Sequence, residues 1–118
     1  MELDVQTVKT VEPGRHTGTV MKIESRKSGD WDYTDIAVLL DDDEVELRIS
    51  APTKISVKAD GTPASKLAVI LTKLGIELTG RVDLDSAVKK RIKFVTTEET
   101  KDKGTFAVID IKSIELTE

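Results

Sequence analysis

The amino-acid sequence predicts an all-β domain, a small five-stranded barrel with one helix. Two observations predict it. Three runs with strand-like alternation come first and two more close the chain. A single run with helical spacing, Pro63 to Leu74, lies between the third and the fourth. The 118 residues suffice for one domain with one small core.

Each element follows from its residues. Residues 1–12 alternate weakly and read as an N-terminal arm or an extra strand, with the domain proper over 13–118. Pro13-Gly14 marks a turn. His16 to Glu24 reads as the first strand, and Gly18 inside it predicts a bulge or bend that lets one strand curve through both halves of the sheet. Arg26 to Asp30 reads as a polar loop. Trp31 to Leu40 is the second strand. Its aliphatic parity, Ile36, Val38 and Leu40, faces the core, which turns Trp31, Tyr33, Asp35 and Ala37 outward. Asp41-Asp42-Asp43 forms a hairpin turn, since aspartate tolerates turn conformations. Val45, Leu47 and Ile49 then alternate with Glu44, Glu46, Arg48 and Ser50 as the third strand, which Ala51-Pro52 ends.

Thr53 to Thr62 reads as a loop with Asp60-Gly61 as its turn. Thr62 is the expected N-cap of the helix and Pro63 its first residue. Leu67, Ile70, Leu71 and Leu74 line one helical face, the barrel floor, and Gly75 supplies the stop. Asp83 to Val88 reads as one further helical turn. Lys89 to Thr97 is the fourth strand, with Ile92 and Phe94 as core. Glu98 to Gly104 is a charged hairpin loop, and Thr105 to Ile114 is the fifth strand.

Five strands with one helix between the third and fourth is the layout of an OB-fold barrel, β1-β2-β3-α-β4-β5. The segment Gly14-Arg15-His16-Thr17-Gly18-Thr19-Val20 leads into Asp32-Tyr33-Thr34-Asp35-Ile36, followed by Ser50-Ala51-Pro52-Thr53-Lys54-Ile55-Ser56, Ser65-Lys66-Leu67 and Leu74-Gly75. Together these resemble small single-domain OB-fold proteins of phage and archaeal type. That group is regarded as single-stranded-DNA-binding, or as related to one domain of replication protein A. The resemblance covers roughly residues 13–114 and is one of pattern and order. It implies a single-strand-binding role in DNA replication.

Composition narrows the function. There is no cysteine, which removes disulfides and thiolate metal sites and fits a reducing, cytoplasmic compartment. The single His16 cannot build a multi-histidine metal site and reads as a surface or edge residue. No apolar run approaches the roughly 18 residues of a membrane helix, and Met1 to Asp4 lacks the basic start of a secretory signal. Net charge is −4, with −5 in residues 1–60 and +1 in residues 61–118. An acidic chain is a poor match for duplex DNA, where phosphate neutralisation dominates. Single strands need only a local basic groove and stacking. No phosphate loop, nucleophile elbow or paired-acid motif is recognisable, so the expectation is no enzyme and no cofactor. Asp41 to Glu44 are contiguous and lack the spaced ligands of a calcium loop, so no metal is expected there.

Only four residues are Trp, Tyr or Phe, so each has weight. Trp31 and Tyr33, two apart on one strand face, are the first candidates for base stacking; packing beneath the N-terminal segment is the competing reading. Arg48 on the adjacent strand is a candidate phosphate contact, or a partner for Asp35 or Glu46. Lys89-Lys90-Arg91-Lys93 is the densest basic stretch, and Arg91 and Lys93 share a face with Val95 as a phosphate track or a solvated strand. Phe106, out of phase with Ala107 and Ile109, is a weaker stacking candidate. Arg15 and Lys54 are outlying cations. Lys101 and Lys103 are diluted by Glu98, Glu99 and Asp102. The expected ligand is single-stranded DNA or RNA, read without strong sequence preference. The alternative is a protein partner, or a structural place in a replication or phage assembly.

Overall fold

A computed structural model describes residue 2 and residues 11–41, 45–101 and 104–117. The expectations that fall on residues 3–10 (the arm), on Asp42 to Glu44 and on Lys103 lie outside the described residues. The chain is mainly β, an open antiparallel sheet with one α-helix. The strands are β1 (Gly14–Ser28), β2 (Trp31–Leu40), β3 (Glu46–Pro52), β4 (Arg91–Lys101), β5 (Gly104–Ile109) and β6 (Glu115–Leu116). The helix α1 (Lys66–Lys73) lies between β3 and β4. Strand order is β3-β2-β1-β4-β5, with β6 paired to β4. The two ends of this path, β3 and β5, approach one another, but the described residues form no ladder between them. No helix among the described residues is long and apolar enough to cross a membrane.

β1 organises the sheet. Gly14 to Thr19 pair with β4, and Gly18 to Ser28 pair with β2, so Gly18 and Thr19 have a partner on both sides. The ladder with β2 slips between Val20 and Lys22, leaving Met21 as a bulge. The bulge therefore sits three residues beyond the Gly18 expected to carry it. Gly18 is required for a different reason: a Cβ there would lie 2.7 Å from the Leu39 carbonyl oxygen. At the bulge the Val20 N–H donates to Lys90 O at 2.9 Å, and the Lys89 N–H donates to Val20 O at 2.7 Å. Those bonds tie the entry of β4 to the bend and satisfy both backbone groups of Val20 beside the slip.

The first strand is longer than its expected end at Glu24. It continues to Ser28 because Gly29, at φ +64°, opens a two-residue turn whose twist suits a hairpin. Only Gly29 and Asp30 remain of the expected Arg26–Asp30 loop. β4 and β5 likewise extend into the expected Glu98–Gly104 loop, as far as Lys101 and Gly104. β5 stops at Ile109, short of the expected Ile114. Asp110 accepts a hydrogen bond from the Lys112 N–H at 3.1 Å and starts a 3-10 turn, Ile111–Ser113, before β6.

The helix begins three residues later than expected. Ser65, not Thr62, is the N-cap; its Oγ accepts from the Ala68 N–H at 3.3 Å and donates to Lys54 O at 2.7 Å. Pro63 is held outside the helix by a bridge to Val57. The C-terminus follows the sequence: Gly75 at φ +78° lets the Gly75 and Ile76 N–H groups return to Thr72 O and Leu71 O. Leu67, Ile70, Leu71 and Leu74 are buried against Val20, Ile36, Val38, Leu40, Ile92 and Phe94. The expected turn near Asp83 is a 3-10 helix, Leu84–Ala87, capped by Asp83.

Candidate nucleic-acid interface

The bulge decides which side chains share a face. In an unbroken strand, residues of odd and even number point to opposite sides. Register places Thr19 opposite Leu39, and beyond Met21 it places Lys22 opposite Ala37 and Arg26 opposite Tyr33. The outward set of β1 is therefore Arg15, Thr17 and Thr19 before the bulge, and Lys22, Glu24 and Arg26 after it. One inserted residue makes a single continuous outer face along the whole strand.

On that face the β1–β2–β3 ladder assembles a compact cluster. Trp31 is 68% exposed and follows the Gly29-Asp30 turn. Tyr33 is half-buried, and the Arg26 guanidinium lies over its ring, 5.1 Å from the centroid. Asp35 is buried, which is unusual for a carboxylate on an outer face. Its oxygens take Arg26 Nε at 2.8 Å, Arg26 Nη2 at 3.3 Å and Ser50 Oγ at 2.6 Å, while Arg48 Nη1 stands 3.9 Å away. The side-on, two-point grip of Arg26 is the strong form of such a pair. Asp35 thus holds Arg26 over the Tyr33 ring, with Arg48 at the edge of ion-pair distance.

These contacts also hold the Asp35 carboxyl below the usual carboxylate range. The Arg26 hydrogen bond is the main cause; burial opposes it, and the Ser50 hydrogen bond and the charges of Arg26 and Arg48 add to it. A lowered value in the folded state means the contribution to stability is complete above the unfolded value, about 4, and is lost as pH falls through the folded value. Urea midpoints at pH 7, 4 and 3 should fall on acidification, and Asp35→Asn should flatten that fall. An equal acid dependence in the variant would show that Asp35 does not carry it.

Arg91, Lys93 and Phe106 lie on the same outer face but not in the same cluster. Arg91 pairs with Asp41 through Nη1 and Nη2, and Thr17 Oγ1 donates to Asp41 Oδ2 at 2.9 Å. Lys93 Nζ is 3.3 Å from Glu115. Phe106 is 47% exposed on the β4–β5 hairpin, opposite Glu99. That hairpin extends beyond the Gly14 end of β1, whereas Trp31 stands at the Ser28 end, so the ladders do not bring these two rings together. Lys101 belongs to β4 rather than to a loop, and Lys54 is exposed just after β3. His16 is half-buried; its Nε2 is 2.7 Å from Glu12 O and its ring is 6.3 Å from that of the buried Phe94. Among the described residues no group of His, Asp or Glu is arranged to hold a metal ion.

Arg26 falls in a loop on the sequence pattern alone, and the structure places it in β1. The signal was present: a Gly-Asp pair between alternating runs is a two-residue hairpin turn, and pairing outward from it sets Arg26 opposite Tyr33. No protein-family model matches the chain, and no curated protein matches it in sequence.

Proposed function

We propose that the protein is an OB-type barrel that binds single-stranded nucleic acid, single-stranded DNA first, on the outer face of β1, β2 and β3, without strong sequence preference. The strand order, a long bent β1 shared by two ladders, the nearness of β3 to β5 and a helix between β3 and β4 support the barrel. The observation that carries the function is the Trp31–Tyr33–Arg26 cluster. An exposed indole, a half-exposed phenol and a guanidinium already laid on that phenol stand on one sheet face. Bases stack on such surfaces whatever their identity, which explains binding without sequence preference. Arg26 and Arg48 are in position for phosphate. No catalytic step is assigned.

Electrostatics temper the binding. Lys22, Arg26, Arg48, Arg91 and Lys93 each have a carboxylate within 4.0 Å: Glu24, Asp35, Asp35, Asp41 and Glu115. A phosphate must compete with those acids, so affinity rests more on stacking than on counterion release. With two or three phosphates engaged, the slope of log K against log salt should lie at about −1.4 to −2.1. The test is Trp31 fluorescence, the only tryptophan signal, during titration with a short oligothymidine at low and then moderate salt. Saturable quenching with a shallow salt slope supports the reading. An unchanged signal at low salt in folded protein overturns it. The mutual neutralisation of these cations would then favour a protein partner on the same face.

A further inference from the structure

A second feature lies on the same face, away from the aromatic cluster. The β1–β4 ladder carries a groove of about 690 Å³ whose lining includes the outward residues Arg15, Thr17, Lys93 and Val95, with Ser113 and Glu115, and also the inward-parity His16 and Phe94. This is the size of a small-molecule site. Register sets Arg15 beside Val95 and Thr17 beside Lys93, so one wall is two cations, a hydroxyl and an apolar step. The opposite wall comes from the closing segment. Ser113 Oγ is already engaged, accepting from the Val95 N–H at 2.8 Å and donating to Asp110 O at 2.6 Å. Its proton is committed to Asp110 O, so it shapes the wall without donating to a ligand. Glu115 neutralises Lys93 at 3.3 Å, whereas Arg15 has no carboxylate within ion-pair distance among the described residues. Among the described residues the groove lining is therefore net positive, and Arg15 is the cation there with no acidic partner.

We propose that this groove is a second subsite for the phosphodiester backbone of a single strand whose bases stack at Trp31 and Tyr33. The proposal rests on the single-strand reading given above. Its ground is the bulge at Met21, which puts Arg15 and Arg26 on one side of the same strand. Ten ladder steps separate them, a contour of about 33 Å. A strand stacked at about 3.4 Å per nucleotide covers that contour in roughly ten nucleotides, within the roughly 4–16 that one such domain occupies. A ligand of four nucleotides reaches only the aromatic cluster; one of twelve reaches the groove as well. Lys93 becomes available to phosphate only by leaving Glu115, so Glu115 sets how strongly the second subsite holds.

The test uses fluorescently labelled oligothymidines of four and twelve nucleotides and anisotropy on the full chain. Wild type should bind the 12-mer at least tenfold more tightly than the 4-mer. Arg15→Gln with Lys93→Gln should weaken the 12-mer roughly tenfold and leave the 4-mer within twofold. Glu115→Gln should strengthen the 12-mer alone, a gain that a damaged fold cannot mimic. If 12-mer affinity ignores all three substitutions while Trp31→Ala still weakens both oligomers, the groove proposal is overturned and the stacking reading stands. If neither oligomer binds wild type at low salt, the stacking reading fails and the second subsite fails with it.

Discussion

Replacing Trp31 with alanine is expected to weaken oligothymidine binding by about 1–3 kcal/mol, roughly 5- to 150-fold, with the fold intact. The two halves of that expectation have separate grounds. The indole is 68% exposed, so the folded protein gains little from it, and an exposed surface substitution usually changes stability by less than about 0.5 kcal/mol. The turn that places it is made by Gly29 and by the Ser28–Trp31 ladder, which alanine leaves in place. A stacked base, in contrast, meets the whole ring, and the contact exists only in the complex. Tyr33→Ala should cost less, because the phenol is half-buried and one of its faces already carries Arg26. It should also loosen Arg26, so its loss should depend more on salt than that of Trp31→Ala. Anisotropy of a labelled oligothymidine measures the affinity, and circular dichroism with urea midpoints measures the fold. Unchanged affinity in a folded Trp31→Ala protein would remove the stacking claim.

Much of the fold is legible in the sequence because hydrophobic alternation reports directly which face is buried. The parity of Ile36, Val38 and Leu40 gives the core side of β2, and Leu67, Ile70, Leu71 and Leu74 give the buried side of the helix. Strand ends are less legible because they depend on which turn closes them. Gly29 and Asp30 close a tight hairpin, so β1 runs four polar residues beyond its expected end at Glu24. The helix start depends on a tertiary bond: Ser65 caps because its hydroxyl is also fixed by the Lys54 carbonyl, which no local pattern reveals. The bulge position is hidden for a related reason. Met21 interrupts the β1–β2 ladder where Lys89 and Lys90 arrive from 68 and 69 residues away. The outward aromatics can therefore be read from β2 alone, but Arg26, the grip of Asp35 and the groove at Arg15 need the register.

Gly18→Ala is the most direct test of that register, and it is expected to destabilise the protein by about 1–2 kcal/mol, a fall of roughly 4–10 °C in Tm. Two effects oppose each other. Gly18 is not among the residues of positive φ, so alanine fits its backbone, and the stiffer unfolded chain returns about 0.4–1 kcal/mol. Against this, the new Cβ would meet Leu39 O at 2.7 Å and Val38 Cγ1 at 3.0 Å. The first of those atoms is backbone of a residue paired on both sides, to Thr19 and to Glu46, and it cannot rotate away as a side chain can. Overpacking of this kind typically costs about 1–3 kcal/mol, so it outweighs the entropic gain. The damage should be focused, because Gly18 is opposite Leu40 on one side and Ile92 on the other. Prising β1 from β2 there strains the ladder to β4 as well, and hydrogen exchange should quicken first at Val20 and Lys89, whose N–H groups span the bend. Gly18→Val should be worse, since its branches add to the same clash. If Gly18→Ala instead proves neutral, the two strands can separate at this point without cost. The pinning of β1 between its two ladders would then rest on the Met21 bulge and its bonds to Lys89 and Lys90 alone.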